Sequence, residues 1–324
     1  MKAVLCKELG PADQLVVGEV DTPTPGKGEV LIDVKAAGLN FPDVLMIQGK
    51  YQFQPDLPFV PGGEAAGVVT ELGEGVTNVN VGDRVIFTNQ VGGFAEMAVA
   101  NAEMLMPFPE SMPFEVAAGL TITYATTYHA FKQRAELKES ETVLVLGAAG
   151  GVGLAAVELA KAAGAKVIAA ASSDEKLEVC KAAGADELIN YTTDDLKAKL
   201  KELTGGRGVN VVYDPVGGDY TEVAVRSMAP GGRLLVIGFA AGDIPRIPLN
   251  LCLLKQCAIV GVFWGGWARG NPAGQVQNMQ DLFALYESGT IKPRVHEVFP
   301  LERVTEAFNS LTERKAKGKV ILRP

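Results

Sequence analysis

The heptapeptide Gly147-Ala-Ala-Gly-Gly-Val-Gly153 has the residue types and spacing of a loop that cradles a diphosphate. Glycine lets the backbone bend sharply and lets a pyrophosphate approach the first N–H groups of a helix, whose dipole favours negative charge. The glycines fall at 147, 150, 151 and 153, with Ala149 in place of a second glycine of the strict G-x-G-x-x-G pattern, so the flanks must carry the reading. They do. The run Thr142-Val-Leu-Val-Leu146 reads as a buried parallel strand. Val152, Ala155, Ala156, Leu159, Ala160 and Ala163 then recur at the spacing of a helix that buries one face. Gly147, Ala149, Gly150, Gly151, Val152 and Gly153 are therefore expected to bind a dinucleotide.

A second chemical feature lies one strand further on, in Lys166-Val-Ile-Ala-Ala-Ala-Ser-Ser-Asp-Glu-Lys176. A carboxylate at the end of this strand selects NAD through the ribose 2′-hydroxyl, whereas a small polar residue with a cation accepts the 2′-phosphate of NADP. If the strand stops near Ala171, Ser172 takes the selecting position, Ser173 follows it, and Lys176 lies one helical turn on. That arrangement would suit NADPH. The contrary reading turns Asp174 or Glu175 towards the ribose, and the plainest makes Lys176 an exposed helix residue.

The elements that must position these groups change character near residue 120. Before it, short alternating runs such as Glu29–Lys35 and Arg84–Phe87 are punctuated by Pro23-Thr-Pro-Gly-Lys-Gly28 and Pro61-Gly-Gly63, as in a β-rich barrel or sandwich. After it, strands at 142–146, 166–170, 187–189, 209–213 and 233–237 alternate with helices starting at 151, 174, 194 and 219. The string Lys-Ala-Ala-Gly-Ala at 161–165 and 181–185 marks two successive helix ends. Amphipathic helices are expected at Val276–Ser288 and Val304–Leu311, and a terminal strand over 318–322 is expected to return to the first domain.

With 324 residues, the chain is long enough for two domains. Its 30 basic and 38 acidic residues give a net charge of −8, which does not advertise nucleic acid or an anionic membrane as partner. No 18-residue apolar stretch or signal-peptide core is present, which points to a soluble, cytoplasmic protein. Cys6, Cys180, Cys252 and Cys257 lack metal or disulfide-framework spacing and read as reduced thiols. His129 and His296 read as surface or packing residues.

The β-domain motifs Gly38-Leu-Asn-Phe-Pro-Asp43, Pro61-Gly-Gly-Glu-Ala-Ala-Gly67 and Gly82-Asp-Arg-Val85 precede Ala148-Ala-Gly-Gly-Val-Gly153 and Asp214-Pro-Val-Gly-Gly218. In that order and spacing they make nearly the whole chain resemble a medium-chain dehydrogenase/reductase. Within that superfamily it is similar to the zinc-independent quinone oxidoreductases related to zeta-crystallin, and also to the enoyl-thioester reductases. The resemblance implies an α/β chain with a GroES-like β-rich catalytic domain, residues 1–121 and 270–324, and a doubly wound Rossmann domain, residues 122–269. It implies an active site in the cleft between them.

Zinc-dependent members place a Cys where Asn40 stands and a His-Glu pair at Gly63-Glu64, and a catalytic zinc needs three ligands. With at least two missing, and no cysteine in Thr88–Phe94 for a structural site, no metal is expected. The acceptor must then already be electron-poor: a quinone, an α,β-unsaturated carbonyl or an enoyl thioester. Asn40 is a candidate amide donor to the acceptor oxygen, or else a cap of the following turn. Tyr51, in Met46-Ile-Gln-Gly-Lys-Tyr51, matches the proton-donating tyrosine of the enoyl-thioester reductases; a phenol with a reference pKa near 10 is protonated at neutral pH. Asp43 is the weaker third candidate and more in keeping with fixing a loop. By the same resemblance Tyr191 joins Lys176 at the phosphate, and Phe239 and Ala240 dock the nicotinamide carboxamide. Phe263, Trp264 and Gly265, with Trp267, form an aromatic wall or, equally, a domain-interface core. Lys319, at the end of Arg314-Lys-Ala-Lys-Gly-Lys319, reads as part of a solvated helix end near the adenosine phosphate. The quinone reductases' tyrosine and arginine are replaced by Leu45 and Val262, which moves weight from benzoquinones towards enones and thioesters. A non-catalytic NADPH-binding protein is the remaining alternative. The strand near Ala258–Phe263 is expected at a sheet edge, where pairing across a two-fold axis would make a homodimer.

Overall fold

The computed structural model describes residues 1–324 and divides into two compact units, Met1–Ile122 with Pro293–Pro324, and Thr123–Lys292. Residues 270–292, expected with the β-rich domain, lie in the second unit. The reason is local: within that unit, Asp281 of helix Pro272–Glu287 accepts hydrogen bonds from Tyr128 and Lys132, and Asn278 exchanges them with Gln133.

The first unit is built on a seven-stranded sheet with the order Val295–Pro300, Lys319–Arg323, Glu29–Leu39, Glu64–Leu72, Arg84–Thr88, Met106–Pro107; Met97–Asn101 also pairs with Glu29–Leu39. The terminal strand Lys319–Arg323 does return, antiparallel to Glu29–Leu39 with Ile321 opposite Gly38. Alternating inward residues such as Val30, Ile32 and Val34 meet Phe87, Phe94 and Phe308 in one core. The edge-to-face pair of Phe94 and Phe308 joins the amino-terminal strands to helix Val304–Thr312.

The second unit holds six parallel strands in the order Glu187–Asn190, Lys166–Ala171, Thr142–Leu146, Val209–Asp214, Met228–Val236, Ala258–Gly261. Numbered along the chain, this is 3-2-1-4-5-6, the doubly wound order whose reversal point lies between Thr142–Leu146 and Val209–Asp214. Strands and helices begin within a few residues of expectation except at Met228, five residues early. The strand there runs through Pro230-Gly231-Gly232, with an irregular register against Val209–Asp214. Short helices at Phe41–Ile47, Phe114–Ala117, Asn250–Lys255 and Trp264–Gly270, and a largely helical stretch over Thr121–Ala135, were not anticipated by the periodicity. No helix is long and apolar enough to cross a membrane.

Candidate functional site

At the reversal point of the parallel sheet, Gly147 leaves its strand with φ +58°, a conformation that suits glycine. A turn closed from Gly150 N–H to the Gly147 carbonyl then leads into the twelve-residue helix Gly151–Ala162, for which Gly150 is the N-cap. Gly153 packs so close that an added Cβ would overlap the Gly147 carbonyl oxygen and lie 2.8 Å from Ala148 Cα. Ala148 and Ala149 are buried, whereas Gly151 and Val152 are half-buried at the helix start, where the leading N–H groups have no partner within the helix.

The neighbouring loop is held by Asp214. One carboxylate oxygen accepts the N–H groups of Val216 and Gly217, the other the hydroxyl of Thr221. A Cβ on Gly147 would reach Val216 at 2.8 Å, so the two loops touch. Phe239 and Ala240 lie beside them: Ala240 N–H donates to the Pro215 carbonyl, and Gly217 has no room for a Cβ against the Phe239 ring.

One strand over, Lys166–Ala171 ends where expected. Lys176 Nζ donates to Ser172 Oγ at 2.8 Å, and Ser173 caps helix Asp174–Ala182 by accepting from Lys176 N–H. Asp174, which with Glu175 makes up the two acidic competitors for the ribose, is occupied by the Asn190 amide at 2.8 Å. Tyr191 N–H donates to the Ala171 carbonyl, and its ring packs on Tyr220 with centroids 4.5 Å apart. The structure thus gathers Ser172, Lys176 and Tyr191 at one strand end, together with Thr192, whose hydroxyl reaches the Ser172 carbonyl. Tyr220, Thr192 and Asn190 had not been singled out; their contribution depends on the strand Glu187–Asn190 lying alongside, which local patterning does not show.

The aromatic segment is more self-engaged than expected. Trp264 Nε1 donates to Gln275, and Trp267 stacks on the buried His129 at 4.5 Å; burial lowers the pKa of that imidazole. Phe263 keeps an exposed ring with the Arg269 guanidinium 6.0 Å from its centre, and Gly265 sits in the first turn of helix Trp264–Gly270.

In the β-rich unit a second polar centre is fully buried. Glu64, with no exposed surface, accepts the Ile122 N–H on one oxygen; the other receives the Asn40 amide at 3.1 Å and Lys319 Nζ at 2.9 Å. Lys319 also donates to Asn40 Oδ1 at 2.5 Å. An ammonium only donates and a carboxylate only accepts, so this network fixes the orientation of the Asn40 amide. Its second hydrogen goes to the Gly38 carbonyl. In this arrangement the Asn40 amide keeps no hydrogen for the acceptor oxygen, and Asn40 stands at the N-cap of helix Phe41–Ile47, the other place expected for it. The expectation for Lys319 is corrected: it belongs to no solvated helix end, because the Glu64 carboxylate draws it inward and the missing Cβ atoms of Gly38 and Gly119 leave room for its stem.

Asp43 accepts the N–H groups of Asn40 and Gly63, the loop-fixing role anticipated for it. Burial pushes its carboxyl up to about 6 despite those two bonds and the Lys319 charge. Tyr51 is half-buried against the core of this unit, just beyond helix Phe41–Ile47. No three His, Cys, Asp or Glu side chains come together as a metal site; beside Glu64 the positive charge is an ammonium.

Two family descriptions match the chain: an alcohol dehydrogenase GroES-like domain over residues 26–110 and a zinc-binding dehydrogenase over residues 151–284. Quinone oxidoreductase-like protein 2 of Bos taurus is 42% identical over 323 residues, covering 99% of this chain and 92% of its own. This chain belongs to the quinone oxidoreductase family of medium-chain dehydrogenase/reductases. Within that family, the Escherichia coli quinone oxidoreductase, solved in complex with NADPH, superposes with a TM-score of 0.94 at 32% identity over all of both chains. A mycobacterial protein, also solved with NADPH, gives 0.94 at 33% identity over the same coverage. The β-rich unit is accordingly a GroES-like domain and the parallel-sheet unit a Rossmann-type nucleotide-binding domain.

Proposed function

We propose that this chain is an NADPH-dependent reductase of electron-poor acceptors, quinones and α,β-unsaturated carbonyls, working without a bound metal. The observation that carries the reading is the Lys176–Ser172 pair at the end of the second strand of a 3-2-1-4-5-6 sheet, with Asp174 turned aside to Asn190. A hydroxyl and a cation suit a 2′-phosphate; a free carboxylate would oppose it.

The loop geometry fits the rest of the dinucleotide. The leading N–H groups of helix Gly151–Ala162 hold the diphosphate, and the absent Cβ of Gly153 lets that helix close on the Gly147 turn. Ser172, Ser173, Lys176 and Tyr191 receive the adenosine phosphate, and backbone at Phe239–Ala240 orients the carboxamide. Phe263, Trp264 and Gly265 form an apolar flank. NADPH supplies a hydride from C4 of its nicotinamide. Tyr51, half-buried against the core just beyond helix Phe41–Ile47, donates the proton that completes the reduction, because a phenol holds its proton at neutral pH. The Glu64–Lys319–Asn40 network supports metal-free chemistry: the carboxylate a metal would use is already neutralised, and Asn40 stands where a thiolate would be needed.

The homodimer follows as part of the same proposal. Strand Ala258–Gly261 pairs on one side only, with Met228–Val236, and Ile259 on it is exposed, so its free edge is open to a second copy. Light scattering at the 34.1 kDa mass of one chain would refute that part.

The central test is Lys176→Ala. A hydrogen bond to a charged group is worth about 1.5–3 kcal/mol, so the KM for NADPH should rise roughly 10–150-fold while that for NADH stays put. An unchanged KM removes Lys176 from the site. Oxidation of NADPH should be followed against a panel of quinones, enones and enoyl thioesters. Turnover confined to thioesters would convert the reading to an enoyl-thioester reductase, and binding without turnover to a non-catalytic NADPH protein. Stoichiometric zinc in the active protein would overturn the metal-free mechanism.

A further inference from the structure

We propose that Cys252 and Cys257 form a dithiol that peroxide oxidises to an intramolecular disulfide. Helix Asn250–Lys255 ends at Gln256, which adopts the left-handed conformation at φ 51°. Cys257 N–H donates to the Cys252 carbonyl and Gln256 N–H to that of Leu253, the two bonds of a Schellman closure. In that closure the residue five before the second residue past the helix end, here the fourth-last of the helix, meets that residue side chain to side chain, usually as an apolar contact. Here both positions are cysteine. Both cysteines are half-buried, which leaves them open to a small oxidant; burial first, and then the neighbouring Cys252, raises the Cys257 thiol above its ordinary value.

The other two cysteines mark the contrast. Cys6 is buried and donates to the Glu8 carbonyl, and Cys180 has no exposed surface and a thiol pushed up by burial to about 12. Neither has a sulfur partner.

In the proposed reaction one thiolate attacks hydrogen peroxide. The O–O bond breaks, a sulfenic acid forms, and the leaving hydroxide takes up the thiol proton as water. The second sulfur then displaces the sulfenic hydroxyl; an S–S bond forms, the S–O bond breaks, and a second water leaves with the second thiol proton. Two electrons pass from the sulfur pair to the peroxide. The product ties the end of helix Asn250–Lys255 to the residue preceding strand Ala258–Gly261.

The test uses the full chain, reduced with a phosphine, freed of reductant and exposed to near-stoichiometric hydrogen peroxide. The intact mass should fall by two hydrogens, and the thiols titrated after denaturation should fall from four to two. Trypsin cleaves after Lys255, between the two cysteines, so the digest should contain two peptides joined only through Cys252 and Cys257. With Cys252→Ser, the linked pair should vanish and Cys257 should be trapped by dimedone as a sulfenic acid. Oxygen adducts on separate cysteines with no linked peptide, or a link between two chains, would overturn the proposal. The peptide map of the unsubstituted chain decides the matter even if the variant fails to fold.

Discussion

The two polar centres of this molecule are built on opposite principles. At the nucleotide loop, Gly147–Gly153, almost nothing is charged: the binding surface is backbone, and its shape comes from side chains that are missing. In the GroES-like unit, Asn40, Asp43, Glu64 and Lys319 gather in the interior, and the shape comes from the buried Glu64–Lys319 ion pair and the hydrogen bonds around it. The first centre should therefore be sensitive to added volume and indifferent to pH. The second should tolerate little loss of charge and should titrate.

The largest effect is expected from breaking the buried pair. Lys319→Met leaves the buried Glu64 without its cation, and removing one partner of a buried ion pair costs about 3–5 kcal/mol. Denaturant unfolding should show that loss. Glu64→Gln added to Lys319→Met should recover part of it, since the uncompensated charge is then gone; additive losses would mean that the two residues do not act as a pair.

Next comes Asp43. Its carboxyl is raised in the folded state to about 6 from 3.8, so between those values the native chain binds more protons than the unfolded one. The associated stability is fully present below about 3.8 and is lost as pH rises through about 6. A shift of this size corresponds to about 3 kcal/mol. The advantage of the unsubstituted protein over Asp43→Asn should therefore shrink by that order between roughly pH 4 and pH 7. A difference that does not change with pH would show that burial does not govern this carboxyl.

The same contrast explains what could be read from the chain and what could not. Strand Thr142–Leu146, the helix from Gly151 and the Ser172–Lys176 pair are local in sequence, and apolar periodicity and one helical turn place them. Lys319, Asn40 and Glu64 meet across separations of 279 and 255 residues, so no spacing could bring them together, and a lysine in a basic run looks solvated. The only local hint was glycine at 38 and 119, where the lysine stem passes. Met228–Val236 was misjudged because Pro230-Gly231-Gly232 resembles a turn, although the strand runs through it beside a register irregularity. Helix Asn250–Lys255 has exposed Leu253 and Leu254 and so lacks an amphipathic signature. Pro42 lies in the first turn of Phe41–Ile47, where proline is tolerated, but in sequence it reads as a breaker.

The smallest effects come from the loop and separate volume from conformation. In an ordinary helix interior, Gly→Ala gains about 1 kcal/mol. At Gly153 the new methyl would overlap the Gly147 carbonyl and crowd Ala148, both backbone that cannot swing away. Overpacking of this kind costs about 1–3 kcal/mol, so Gly153→Ala should be destabilising on balance and should weaken NADPH binding in a fluorescence titration. At Gly150, whose φ is −72°, a methyl would meet only the Gly147 carbonyl at 3.5 Å, an ordinary contact. The residual penalty is that of alanine as an N-cap, about 0.5–1 kcal/mol. If Gly150→Ala proved as damaging as Gly153→Ala, the loop would depend on the flexibility of its glycines rather than on the close approach of helix to turn, and the contrast with the charged centre would have to be redrawn.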